Sequence, residues 1–400
     1  MKIKEIKARA ILNSKSIKTI EVEVTDKDNF KATASVGTGT STGKYEVNAF
    51  PKKGINFTVN YFNNVLRNKL QNLTISNFDD LEKIERIFNA EDYTEKLEKL
   101  GGNIIVSTEF AILKALSKGN VWKVLNPKAK KLPTPLCNVI GGGHHAGINS
   151  PDIQEFLLLP QTKKFEEALW ANVSLYHKLD KELTKRNFDG RKTIEGAYCP
   201  DMNNIEILNL LNKITEKFSK ENKIDIGIGI DVAANSLWNG RKYQYKKFAK
   251  FKQKKNLNRE EQIEFMEKLI KNYNLIYVED PLNEDDFEGF NQLNKKTCLI
   301  TGDDLTTTNP ERIKMADKKI SAVIIKPNQI GSLLKTKEVI DYARKNKITP
   351  VISHRSGETE DNILAHLAVG FDCPIIKTGI NGSERLSKLN ELLRINEAIQ

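Results

Sequence analysis

Four hundred residues, 39% apolar and 29% charged, make a globular chain with room for two domains. The formal charge is +11, but its lysines fall in short, separated clusters such as Lys128–Lys131 and Lys252–Lys255. That spread reads as solvated helix faces, and without an RNA-binding or helix-turn-helix signature nucleic acid is not expected as a partner. No apolar run approaches the ~20 residues that cross a bilayer. The first residues alternate rather than form a signal-peptide core. Cys137, Cys199, Cys298 and Cys373 are scattered with no C-x-x-C pair, which argues against a zinc site or a disulfide framework and for a cytoplasmic location.

The first 36 residues alternate apolar and polar. They predict strands over 3–12, 19–25 and 30–36, with Ile20, Val22 and Val24 on one face and Lys27-Asp28-Asn29 in the last turn. A Gly/Ser/Thr loop follows from Gly37 to Gly43. Apolar periodicity then predicts helices through Phe62–Leu70, Leu81–Phe88 and Val106–Leu116. Residues 1–125 thus read as an α+β domain.

After Asn126-Pro127 the pattern changes. Short apolar runs alternate with helices expected at 163–185, 204–220, 259–272, 333–346 and 359–369. Each run ends in a polar group: Ile226–Ile230 in Asp231, Leu275–Val278 in Glu279-Asp280, Leu299–Thr301 in Asp303-Asp304, Ala322–Ile325 in Lys326, Val351–Ser353 in His354-Arg355, and Pro374–Ile376 in Lys377. Glu279, Asp303, Lys326 and His354 follow one another at intervals of 24, 23 and 28 residues, room for one helix and one strand each. Residues 126–400 therefore read as a TIM-type α/β barrel, with one polar site at the carboxyl ends of its strands.

Asp231, Glu279 and Asp303, in register at strand ends, suit a hard cation such as Mg²⁺. Lys326 has two readings: a base whose pKa is lowered by burial and neighbouring cations, or a lysine snorkelling to solvent. Arg355 and Ser356 offer a fork and a hydroxyl for phosphate or carboxylate. Ser356 also fits a helix N-cap, with Glu358 and Glu360 in the first turn, and the two readings are compatible. The glycines of Gly141–His145 form neither G-x-G-x-x-G nor a P-loop, so no nucleotide site is read there. His144 reads as solvated, and His177 and His366 as structural.

Several longer stretches together resemble the enolase (phosphopyruvate hydratase) family over nearly the whole chain. They are Ile352–Asp361, Asn328–Ser332, Gly302–Leu305, Asp152–Phe156, Ser41–Gly43 and Lys377–Gly379. The resemblance implies Mg²⁺-dependent, glycolytic dehydration of 2-phosphoglycerate to phosphoenolpyruvate. By it, Asp231, Glu279 and Asp303 hold one Mg²⁺, and Ser41 closes on a second that arrives with substrate. Lys326 removes the C2 proton, Glu195 protonates the leaving hydroxyl, and Glu155 and His354 complete the catalytic group. His145, Gln154, Arg355, Ser356 and Lys377 bind substrate. It also implies at least a homodimer, with Glu21 and Arg394 at positions that pair across the interface.

The chain departs from the family in places. The usual Gly-Asp-Glu-Gly-Gly around the acid reads Thr193-Ile194-Glu195-Gly196-Ala197, where Ala197 replaces a glycine able to turn freely. Gly37-Thr38 stands for Pro-Ser in the first loop. These changes and the positive charge support an alternative: a weakened paralogue acting as a binding protein for acidic partners or nucleic acid, or at the cell surface. Another lyase or racemase of the superfamily fits less well, because the Ser-His-Arg-Ser and Lys-Thr-Gly motifs suit a phosphorylated substrate.

Overall fold

A computed structural model describes residues 1–40, 42–147, 150–246 and 256–400. Three antiparallel strands open the chain: β1 (Ile3–Leu12), β2 (Lys18–Asp26) and β3 (Lys31–Ser35), with Ala8 opposite Val22 and Val22 opposite Ala34. The alternating apolar residues Ile6, Ile20, Val22, Val24 and Ala34 are buried against the helix Gly102–Leu116. Nearly every residue of that helix is buried because it lies between the sheet and the barrel. The expected helix through Phe62–Leu70 begins earlier, at Ile55, and passes through one π turn at Phe62–Leu66 before ending at Leu70. A single π turn leaves no mark in the apolar spacing of a short segment.

The barrel is closed by eight strands: β4 (Thr134–Gly141), β5 (Glu155–Pro160), β6 (Ile226–Asp231), β7 (Tyr277–Glu279), β8 (Leu299–Gly302), β9 (Ala322–Ile325), β10 (Thr349–Ser353) and β11 (Ile375–Lys377). All neighbours are parallel except β5, which runs against both β4 and β6. Leu136, Leu157, Leu159, Tyr277, Ala322, Ile324, Val351 and Ile375 pack together as one cluster in its interior. Gly227 leaves the room that Ile276 fills: a Cβ there would lie 1.8 Å from the Ile276 Cδ1. Two of the enclosing helices start at asparagine capping boxes, Asn203 with Glu206 and Asn258 with Glu261. The helix expected from 359 starts at Ile363, so Ser356 caps no helix.

The two halves meet at a pair of acids, Glu109 buried and Glu85 half-buried. The Glu109 Oε2 accepts the Leu333 N–H at 3.0 Å, and the Glu85 Oε1 accepts from the Ser332 hydroxyl and the Leu334 N–H. Both carboxyls thus serve the start of the barrel helix Leu333–Lys345. Burial and the neighbouring Glu85 push the Glu109 carboxyl well above the usual range, so Glu109 keeps its proton.

Candidate active site

Every strand-end group named above arrives at one face of the barrel. His145, Gln154, Glu155, Glu195, Asp231, Asp303, Lys326, His354, Arg355, Ser356 and Lys377 line a single cavity with about 50 Å³ of free space. Larger grooves exist, about 600 Å³ beside the first sheet and about 1170 Å³ at the opposite face of the barrel. They are open and gather no comparable set of buried ionisable groups, so the chemistry selects the small cavity. Ser41 and Lys252–Lys255 lie outside the described residues. Glu195 comes from the connection between the helices Phe165–Thr184 and Asn204–Asn222, not from a strand end. Gln154 and Glu155 come from the start of β5, whose reversed direction sets Glu155 opposite Asp231.

The charges are arranged in pairs. The Lys377 ammonium donates to Asp231 Oδ2 at 3.0 Å and to the Glu279 oxygens at 2.8 and 2.9 Å, and lies 3.3 Å from Glu155 Oε2. The Lys326 ammonium is bonded to Asp303 Oδ2. Asp231 and Glu279 therefore face one ammonium and Asp303 another. Burial, then Asp231, raise the Glu279 carboxyl to about 8. Burial pulls the Lys377 ammonium down, but Asp231, Glu155 and Glu279 outweigh it and hold it well above its ordinary value.

Lys326 corrects the expectation of a lowered pKa. Burial, Arg355 and Lys377 do pull it down, but the Asp303 carboxylate overrides them and the ammonium is raised. Snorkelling is also excluded as its role, since Lys326 is bonded to Asp303 inside the cavity.

His145, Glu155 and Glu195 form a second knot. The His145 Nδ1 lies 3.6 Å from Glu195 Oε1 and 3.8 Å from Glu155 Oε1, and His354 Nε2 lies 3.8 Å from Glu195 Oε2. Burial and the like charges of Glu195, Asp231 and Glu279 raise Glu155 well above the carboxylate range. Burial also acts to raise Glu195, but His145, His354, Arg385 and Lys377 hold it low. Burial pushes both imidazoles toward the neutral form. The two carboxyls are thus driven apart, with the proton on Glu155.

Two family models cover this chain: the enolase N-terminal domain over residues 3–125 and the enolase C-terminal TIM barrel domain over 129–400. Enolases of Pyrobaculum aerophilum and Methanothermobacter thermautotrophicus are 39% and 38% identical to it, each match covering 99% of this chain and 97% of the relative. The enolase of Ehrlichia ruminantium is 34% identical over 100% of this chain and 97% of its own. The chain belongs to the enolase family. Its function is that of an enolase, a phosphopyruvate hydratase and hydro-lyase. No observation favours the binding-protein alternative.

The departures from the usual enolase sequence are accommodated locally. Gly196 takes the left-handed turn at φ +79°, while Ala197 is absent from the left-handed residues, so its Cβ carries no backbone strain. The Thr193 methyl fills the space above Gly141, and its hydroxyl accepts the Glu195 N–H at 3.3 Å. Thr40, on the altered loop, donates its N–H to the Ser356 hydroxyl at 2.8 Å, with the two hydroxyls 2.6 Å apart. Glu358, expected in a first helical turn, instead accepts the Arg355 N–H at 3.1 Å.

Enolases work with Mg²⁺, and the donor set here fits such an ion. Asp231, Glu279 and Asp303 are buried oxygen donors on neighbouring strands, and each already holds an ammonium group where positive charge is required. Sequence reasoning passed over the groups behind them. Asp280, at φ +40°, accepts the Asp303 and Asp304 N–H groups at 2.9 and 2.7 Å. Asn138 reaches Glu195 Oε2 at 3.4 Å. The doubled acids Glu279-Asp280 and Asp303-Asp304 were a visible signal for Asp280, while nothing in the spacing marks Asn138.

Proposed function

We propose that this enolase carries out the reversible dehydration of 2-phosphoglycerate to phosphoenolpyruvate, with Lys326 as base and Glu195 as acid. The observation that supports this most is the enclosure of Lys326, Glu195 and the Arg355–Ser356 pair in one buried polar cavity. Arg355 and Ser356 hold the phosphate. Lys326 takes the proton from C2 as the neutral amine, so it must first give up its bond to Asp303 together with one ammonium proton. Glu195 gives a proton to the 3-hydroxyl, which leaves as water, and the C2–C3 double bond forms as the C2–H and C3–O bonds break. Glu195 starts without that proton and receives it from Glu155, which its surroundings keep protonated. His145, Gln154 and His354 hold the leaving hydroxyl's side of the substrate, and Lys377 faces the charge that builds on its carboxylate. Asp231, Glu279 and Asp303 would hold Mg²⁺, which would supply further positive charge for that carboxylate, and by the family resemblance Ser41 would serve a second ion.

About 50 Å³ holds a few waters and not a phosphorylated three-carbon acid, so the cavity widens to admit substrate. We also propose the division into domains 1–125 and 126–400, a homodimer, and a cytoplasmic location. Glu21 and Arg394 share the groove beside the first sheet, which is consistent with a dimer seam, although within this chain they pair with Arg9 and Glu391. Among the described residues no helix is long and apolar enough to cross a membrane.

The test is turnover of purified protein on 2-phosphoglycerate, followed by the ultraviolet absorbance of the enol product, with and without Mg²⁺. The expected result is a metal-dependent rise that falls at least ~10²-fold in Lys326→Ala. Near-wild-type turnover of that variant overturns the assignment of the base.

A further inference from the structure

Glu46 follows the Gly37–Gly43 loop and is buried, yet the roles assigned above leave it idle. Its carboxylate joins three parts of the molecule. Oε2 accepts from Arg355 Nη2 at 2.9 Å. Oε1 accepts the Gly43 N–H at 3.0 Å and Gln329 Nε2 at 3.4 Å. Gln329 in turn donates to Asp303 Oδ1 at 2.9 Å and accepts from the Thr308 hydroxyl at 2.8 Å. That hydroxyl accepts the Lys326 N–H at 2.9 Å. The Gln329 carbonyl also accepts the Val47 N–H at 2.9 Å, which fixes Glu46 and Gln329 side by side.

We infer that Glu46 is a positioning residue that ties the seating of the Gly37–Gly43 loop to the anion-holding Arg355 and, through Gln329, to Asp303. The inference rests on the enolase reading of Arg355 and Asp303. The charge count supports it. Three donors converge on Glu46, and a carboxylate has two acceptor oxygens for them, whereas an amide has one and would turn its own N–H groups toward donors. Only the carboxylate can hold the loop and the arginine together. It also neutralises Arg355 while the anion is absent, so the guanidinium keeps its orientation without a ligand. Loop seating and metal-side order are thereby linked before substrate binds.

The experiment uses Glu46→Gln, Glu46→Ala and Gln329→Leu in the full chain. Three quantities are measured: the Kd of inorganic phosphate by calorimetry, the rate of tryptic cleavage after the exposed Lys44, and kcat with its Mg²⁺ dependence. In Glu46→Gln the amide oxygen keeps its bond to Arg355 but removes the opposing charge. Phosphate should therefore bind about three- to tenfold more tightly, cleavage after Lys44 should quicken about tenfold, and kcat should fall about tenfold. In Glu46→Ala the orientation is lost as well, and phosphate should bind more weakly than to wild type. Gln329→Leu should leave phosphate affinity unchanged and weaken Mg²⁺ activation about 10–100-fold, the usual cost of losing the partner of a metal ligand.

A merely structural glutamate would shift the Gln and Ala variants in the same direction, together with their melting temperatures, and that result overturns the proposal. So does unchanged cleavage after Lys44. If Glu46→Ala fails to fold, Glu46→Gln and Gln329→Leu still decide. If wild type shows no turnover, the enolase reading fails by itself, while phosphate affinity and cleavage still test the link from Glu46 to Arg355 and the loop.

Discussion

At the carboxyl face of the barrel, Asp231, Glu279 and Asp303 are buried beside the ammonium groups of Lys377 and Lys326. Between the two halves of the molecule, Glu109 is equally buried, but its neighbour is another acid, Glu85. The first group is neutralised by cations and stays ready to exchange one cation for another. The second is neutralised by a proton and holds a fixed joint. Burial imposes the same desolvation cost on both. The difference lies in what compensates it, and that separates an exchangeable binding site from a permanent clamp.

Removing the compensating cation should break the comparison most severely. Lys377→Met leaves Asp231 and Glu279 facing each other, and breaking a buried pair this way costs about 3–5 kcal/mol. The expected outcome is a melting temperature several degrees lower in chelator, largely restored by Mg²⁺; an unchanged value in chelator would show that the carboxylates do not depend on the ammonium. Glu195→Gln comes next. It keeps the fold and should lower kcat about 10²-fold or more, with a melting curve like that of wild type.

Glu109→Gln tests the clamp. The folded-state pKa of Glu109 is raised, so its contribution to stability is fully present below the ordinary carboxylate range near ~4.3 and is lost as pH rises through the folded value. A glutamine amide can donate to Glu85 and accept from Leu333 without titrating. It should match wild type at pH ~5 and be more stable by roughly 1 kcal/mol at pH ~8, read as the gap between two melting curves. A gap that closes as pH rises would sink the account of a protonated Glu109. The smallest effect is expected outside both clusters. Ala197→Gly restores the family's glycine where none is required, and should cost about 0.4–1 kcal/mol through the unfolded chain with no gain in kcat.

Much of this arrangement was legible in the chain. Buried strands must be apolar and must end where the barrel meets solvent, so Asp231, Glu279, Asp303, Lys326, His354 and Lys377 stand out as the polar group after each run. The three amino-terminal strands were legible because one of their faces is buried. What escaped were partners set by three-dimensional proximity. Glu46 meets Arg355 across 309 residues of sequence, and no local pattern records it. The direction of the Lys326 shift escaped for a related reason: it depends on whether Asp303 or the nearby cations lie closer. Ser356 was misread as a cap because Glu358 and Glu360 imitate a first turn, whereas the helix begins at Ile363.

The reversed strand β5 has one more consequence. Because β5 runs against its neighbours, the chain leaves it at the far face of the barrel, where β6 also starts, so the connection between them must cross the barrel an even number of times or not at all. It crosses with two successive helices, whose connection returns to the cavity carrying Glu195. Glu195 and the strand-end carboxylates Asp231, Glu279 and Asp303 therefore sit on separately mounted parts. The segment that carries Glu195 stands outside the barrel strands, and Thr193, Ile194 and Ala197 depart from the usual family sequence there, while the strand ends are held by barrel closure. A change in that segment can shift Glu195 without moving Asp231, Glu279 or Asp303.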